Sequence, residues 1–265
     1  MEVHGQMKTK SKGFLYLLLS VSSLVLLILV WVVLSHVPGT MFPTPQATGS
    51  RFINIMTKPI SKATLPIHIL ISLRRVLIAF LFAVTVGIAL GVGLGWSEKF
   101  NAFFGPIFEM FRPIPPIAWI PMIILWCGIG ETAKIVIVFI GAFTSIVLNT
   151  SAGIKAIDPL LISAGKVLGA NKRQLLLDVA LPASIPAILA GIKTALSSGW
   201  MCVVAAEMIA ARQGIGFLIV RGQEIGDTAL IVVCMLAIGI VSALMSVGLT
   251  KLEGVLCPWQ FKKTK

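Results

Sequence analysis

Between Phe14 and Leu34 lie 21 residues without a single charge. A run of that length has few structural outcomes. About 20 mostly apolar residues in a helix cover the hydrocarbon core of a bilayer, and inside hydrocarbon the backbone has to satisfy its own N–H and C=O groups. Further apolar runs follow at 76–96, 132–151, 183–208 and 228–250, with a shorter one at 117–126. The composition agrees, since 57% of the residues are hydrophobic and 12% charged, whereas a soluble domain carries about 25% charged residues. We therefore expect an all-α, polytopic membrane protein with about six transmembrane helices, forming one domain over residues 1–265.

Lys8, Lys10 and Lys12 precede the first run, and the positive-inside rule puts that flank in the cytoplasm. The stretch LSHVPGTMFP after the run has no small-x-small cleavage site, so the run reads as a retained anchor rather than a signal peptide. An even number of spans then leaves both termini cytoplasmic. This topology places 13 of the 22 Lys and Arg on the cytoplasmic side and 8 outside, with Lys193 inside the fifth span. Cytoplasmic loops thus account for the net charge of +12, and nothing in the scattered charges calls for nucleic acid.

Residues 35–70 read as an outer loop with a short helix, and Arg74 and Arg75 as the outer mouth of the second span. Gly87, Gly91 and Gly95 share one helix face, which permits close packing but is also common by chance. Pro113, Pro115 and Pro116 cannot sit inside a regular helix and suggest a bent cytoplasmic connection before the third span. The two GIG triplets, at 128–130 and 214–216, read as turns.

Chemistry-bearing constellations are missing from this chain. It has no G-x-x-x-x-G-K-[ST] phosphate loop, G-x-S-x-G, H-E-x-x-H or paired-carboxylate motif. Cys127, Cys202, Cys234 and Cys257 lack metal-ligand spacing and read as small core residues. His4, His36 and His68 lie far apart and read as loop or interfacial residues. We expect no catalytic residues and no metal site, hence a transport component rather than an enzyme. The ionisable groups inside the spans are Lys193 and Glu207. Intramembrane charges are costly and tend to be functional, so Glu207 could face a solute; equally, it could pair with Arg212 or another outer cation. An ion-coupled carrier and a passive gate driven by a separate ATPase both remain open at this level.

The segment AIDPLLISAGKVLGANKRQLLLDVALPASIP lies between the fourth and fifth runs. Asp158 can cap a helix that starts at Pro159, and Gly169 can end it in the left-handed conformation. Asn171 can cap a second helix, which Leu181-Pro182 should terminate. The result is a helix-turn-helix at the cytoplasmic face that either docks a partner or lies along the interface.

The same segment resembles the EAA loop of ABC-importer permeases: Glu-Ala-Ala, three residues, Gly, nine residues, an aliphatic, one residue, then Leu-Pro. Ser163-Ala164-Gly165 occupies the triplet, Gly169 the glycine, Val179 the aliphatic and Leu181-Pro182 the end. Ser163 replaces the glutamate and Gly165 the second alanine. FRPIPPIAWIPMIILWCGIGETAKI, GWMCVVAAEMIAARQGIGFLI and the terminal CPWQ resemble the nitrate, sulfonate and bicarbonate branch, taurine permease-like members above all. The resemblance implies a type I ABC-importer permease fold in a bacterial inner (plasma) membrane. It implies an ATPase-coupling loop over about 153–182 that includes Ser163, Ala164, Gly165, Gly169, Ala170, Asn171, Lys172, Arg173, Leu181 and Pro182. It also implies partners: two ABC ATPase subunits that carry the ATP and Mg, a second copy of this permease and an extracytoplasmic solute-binding protein. The implied solute is a small anion such as taurine, another sulfonate or nitrate.

Overall fold

The computed structural model describes the backbone of residues 3–257 and the side chains from Tyr16 onward except Leu17. Lys262, Lys263, Lys265 and the Pro-Trp-Gln of CPWQ lie outside it, as do the side chains of His4, Lys8, Lys10 and Lys12. Ten helices follow in order: α1 Val3–Ser35, α2 Pro45–Thr57, α3 Leu65–Trp96, α4 Glu98–Phe111, α5 Ile120–Cys127, α6 Glu131–Lys155, α7 Pro159–Val167, α8 Lys172–Ala210, α9 Ile215–Glu224 and α10 Thr228–Leu256. No strand occurs among the described residues. Five of the helices, α1, α3, α6, α8 and α10, are long and apolar enough to cross a membrane. α4 and the Pro116–Cys127 piece, bent by 86°, form a broken sixth span.

α6 is the axis of the bundle, with α3 on one side and α8 on the other. The α3 contacts climb in step: Arg75 meets Glu131, Gly87 meets Ile146, Gly91 meets Thr150 and Gly95 meets Ile154. α3 and α6 are therefore parallel, so the chain crosses the bundle between them, and α4 with α5 makes that crossing. Against α8 the order reverses, Asn149 touching Gly191 and Gly153 touching Ala187. α6 and α8 are antiparallel. All three have one end near Trp96, Lys155 and Lys172, called here the elbow end, and the other near Glu131 and Ala210, the far end.

Three boundaries differ from the sequence expectation. The second span starts at Leu65 rather than 76, because Leu65, His68, Ser72, Arg75, Val76 and Ala79 make one buried stripe at helical spacing. Residues 98–111 are a regular helix rather than part of a cytoplasmic connection, started by Ser97, whose hydroxyl accepts the Phe100 N–H at 3.3 Å. α5, at 8 residues, is about 12 Å long and completes a crossing only together with α4. The helix entering the fifth span does not stop at Leu181-Pro182 but runs unbroken from Lys172 to Ala210. Cys127 is exposed, unlike the three other cysteines. The GIG triplet at 128–130 does lie in the bend between α5 and α6, with Gly128 at φ +73°, whereas at 214–216 only Gly214, at φ +124°, is in the turn and Ile215 and Gly216 begin α9.

The glycines at 87, 91 and 95 form a working seam. A Cβ on Gly91 would fall 2.6 Å from Thr150 Cβ and 2.9 Å from the Val147 carbonyl oxygen, so the helix backbones approach until little but hydrogen separates them. Gly91→Leu should lower the stability of the purified protein by about 1–3 kcal/mol through overpacking. Gly248→Leu, where a side chain would enter open space, should leave it within about 0.5 kcal/mol. Thermal unfolding of the two variants in detergent compares them directly, and equal midpoints would refute the seam.

Candidate functional site

The elbow, the helix-turn-helix over residues 158–182, is built from local signals that satisfy one another. Asp158 accepts the Leu160 N–H at 2.8 Å and Pro159 opens α7. α7 closes in a Schellman arrangement, with the Ala170 N–H on the Gly165 carbonyl and the Gly169 N–H on that of Lys166, both 3.0 Å. Gly169 sits at φ +82°, which side chains other than hydrogen disfavour. Asn171 and Gln174 then cap α8 reciprocally: each side chain accepts the other's backbone N–H at 2.9 Å. The turn therefore has little freedom to bend.

α7 folds back on the start of α8 through buried Gly165, where a Cβ would lie 2.7 Å from Leu175 Cδ2. Residues 175–180 form a π-helical turn, and the Leu181 N–H reaches back to the Leu176 carbonyl. The wider turn accommodates the Pro182 ring, which in a regular α-turn would clash with the preceding carbonyls. Leu-Pro thus passes the helix on rather than ending it.

Ser163, Ala164, Gly169, Asn171, Lys172 and Arg173 are exposed, Ala170, Leu181 and Pro182 are half-buried, and Gly165 is buried. The most exposed apolar side chains of the segment are not among these residues. Val167 and Leu168 are 87% and 86% exposed, with Leu160 and Leu161 also exposed on the same helix. Their signal was present in PLLISAGKVL, which has more apolar positions than one packed face of a nine-residue helix can absorb.

A second constellation occupies the far end. Glu207 has no exposed surface. Arg75 Nη1 donates to it at 2.6 Å, the Ser72 hydroxyl at 2.8 Å and the Gly216 N–H at 2.9 Å. The partner is thus Arg75 of α3, not Arg212. Arg75 also grips Glu131 as a fork, Nε and Nη2 each at 2.7 Å, and donates to the Gln213 carbonyl at 2.9 Å. Lys134 adds a bond to Glu131 at 2.9 Å. The first turn of α9 is tied in by its amides. The Ile215 N–H goes to Ser72 and the Gly214 N–H to His68 Nδ1, which leaves Nε2 to donate to the Ile60 carbonyl at 3.1 Å. His68 is therefore a buried tether, not a loop residue. Gly214 admits no substitute, because a Cβ there would collide with the Glu207 carboxylate. Lys193, the other intramembrane charge, pairs with Glu253 of α10.

Beside this network opens a cavity of about 740 Å³, whose charged lining is Lys62, Arg75, Lys134 and Arg212 against Glu131 alone. With Glu207 behind Arg75, two positive charges remain uncompensated. The fields of clustered like charges add in a concave surface, so the cavity attracts anions.

Comparison with known proteins places this geometry. The family model described as "Binding-protein-dependent transport system inner membrane component" matches residues 83–259. The chain is 35% identical over 245 residues to the taurine transport system permease protein TauC of Escherichia coli, covering 91% of this chain and 89% of that one. It is 30% identical over 245 residues to the nitrate import permease protein NrtB of Synechocystis, with 91% and 89% covered. The putative aliphatic sulfonates transport permease protein SsuC of Bacillus subtilis is 30% identical over 237 residues, with 88% and 84% covered. Among solved structures, a chain of the MetNI methionine ABC transporter in an inward-facing conformation superposes with a TM-score of 0.62 at 21% identity, covering 70% of this chain and 92% of that one.

The far-end network predicts a contrast. Glu207→Ala leaves Arg75 without its buried counter-ion and should cost about 3–5 kcal/mol, seen as a large drop in the thermal midpoint. Arg212→Ala, at an exposed side chain with no carboxylate within ion-pair distance among the described residues, should stay within about 0.5 kcal/mol. The reverse order would mean that Arg212 is the partner after all.

Proposed function

The chain belongs to the family of binding-protein-dependent transport system inner membrane components, the permease subunits of ABC importers, and from that premise we propose that its elbow is the joint through which an ATPase drives the transmembrane gate. In this proposal two copies enclose one solute path and each elbow rests in a groove of an ATPase subunit, which holds the ATP and Mg. The elbow end and both termini face the cytoplasm of a bacterial cell. A binding protein delivers the solute to the far end.

The observation that carries the proposal is mechanical. The exposed Val167 and Leu168 patch sits on a turn whose backbone is held from both sides, and the helix leaving it reaches Glu207 without a break. A large exposed apolar patch marks a partner surface. A rigid turn passes displacement on, whereas a loose one would absorb it. Closure of the ATPase pair would push both elbows, and each α8 would carry that motion to the network at Glu207, Arg75 and Glu131, opening the gate outward. The cationic cavity at the far end suits a small solute with an oxyanion group, such as taurine, another sulfonate or nitrate, the solutes named for the relatives.

An ion-coupled carrier without an ATPase is the second reading, and Glu207, the fully buried carboxylate of α8, is held by Arg75 rather than left free for it. Uptake that stops on ATP depletion while the proton gradient persists supports the ATPase; continued uptake supports the carrier.

Gly169→Val places a β-branched residue at positive φ, costing about 1–2 kcal/mol locally. Leu168→Asp changes only an exposed side chain. Both should abolish co-purification of the ATPase or reduce ATP-driven uptake severely, with the Leu168→Asp protein still folded by its thermal midpoint. Wild-type co-purification and uptake in both would refute the docking role.

A further inference from the structure

Arg112 and Glu109 form a charged pair where lipid cannot satisfy it. α4 rises from the elbow end antiparallel to α6. Lys155 reaches Asn101 at 3.5 Å, Phe108 meets Phe143 edge-on with centroids 6.5 Å apart, and Arg112 shares a cavity of about 210 Å³ with Phe139, Phe143 and Thr144. The charge-free part of α6 is 135–154, so Thr144 marks its middle, and the side chain beside it lies deep in the membrane. The Arg112 guanidinium donates to both Glu109 oxygens at 2.9 Å, yet the two side chains are 40% and 60% exposed. Exposure of such a pair to hydrocarbon at that depth is costly.

The backbone makes the same demand. In a helix the Glu109 and Arg112 carbonyls would accept from Pro113 and Pro116, which have no N–H. Irregular backbone at membrane depth is stable only inside protein or facing water, and here the chain bends by 86°. Two independent features, an exposed ion pair and carbonyls that proline cannot serve, keep lipid from this face and leave it to water or to protein.

We propose that the break between α4 and α5 lines a water-filled solute path and that Arg112 is the anion contact in it, with Glu109 holding the guanidinium until a solute oxyanion displaces it. This rests on the assignment of the chain as an importer subunit for an anionic solute. A sulfonate or nitrate presents two oxygens to the guanidinium fork much as the Glu109 carboxylate does. Transporters commonly place such contacts at interrupted helices near the bilayer midplane.

The test uses the assembled transporter in nanodiscs with Cys127→Ser, the exposed cysteine removed. Ile114→Cys reports on the break, and Leu81→Cys, also exposed and on α3, is the comparison. Because the thiolate is the reacting form and needs water, a charged, membrane-impermeant thiol reagent should modify Ile114→Cys at least about tenfold faster than Leu81→Cys. Saturating sodium nitrate or ethanesulfonate at constant ionic strength should slow that modification, and Arg112→Gln should remove the protection. In uptake assays, Arg112→Gln should raise KM by about tenfold or more, the loss of one charge-assisted contact, while Arg112→Lys retains part of the affinity. The neutral double variant Glu109→Gln with Arg112→Gln leaves no unpaired charge and should assemble with the ATPase while keeping the raised KM. Equal modification rates at the two cysteines, absence of anion protection, or an unchanged KM in the double variant would each overturn the assignment. The elbow is intact in all these variants, so such a failure removes the Arg112 assignment and leaves the ATPase coupling standing.

Discussion

Glu207 is a carboxylate with no exposed surface inside a membrane helix, and the far end of the bundle is organised around it. A buried charge is tolerated only when paired and fully hydrogen-bonded. Here the demand recruits α3 through Ser72 and Arg75, the first turn of α9 through the Gly216 amide, and α6 through Glu131, which shares the same guanidinium. Four helices meet at one ionic cluster. The glycine seam between α3 and α6 then sets how closely the rest of those helices can approach.

The position of that cluster on α8 links it to the opposite end. The elbow feeds α8 directly, and the π turn at 175–180 absorbs Pro182 without interrupting the helix. A hinge at Leu181-Pro182 would have separated the elbow from the core. Instead, a displacement at Val167 and Leu168 has a continuous helical route to Glu207. Rigidity comes from different sources along this route: turn hydrogen bonds at the elbow, glycine packing at mid-height and ion pairs at the far end.

Some of this was legible in the residues because the signals are local. Asp158, Gly169 and Asn171 act on atoms within a few residues, so their caps and the left-handed turn could be read off spacing alone. The spans were legible because the bilayer imposes length and polarity on each helix separately. The partner of Glu207 was not legible, since Arg75 lies 132 residues away and only the fold chooses it over Arg212. His68 was misread for the same reason. The proline cluster at 113–116 marks the bend of 86° but not the helix it packs beside, because a proline breaks a helix whatever its neighbours are.

The sequence by itself determined an all-helical membrane protein, the approximate spans and the chemistry of the elbow. Each of these follows from residues close together and from the solvent they must enter. Only the tertiary structure decided that α3 and α6 run parallel, that Leu-Pro continues a helix, that Arg75 binds two glutamates and that Arg112 stands beside Thr144 of α6. Those outcomes depend on which distant faces pack together, and packing is settled by shape and charge in three dimensions, which no local pattern records.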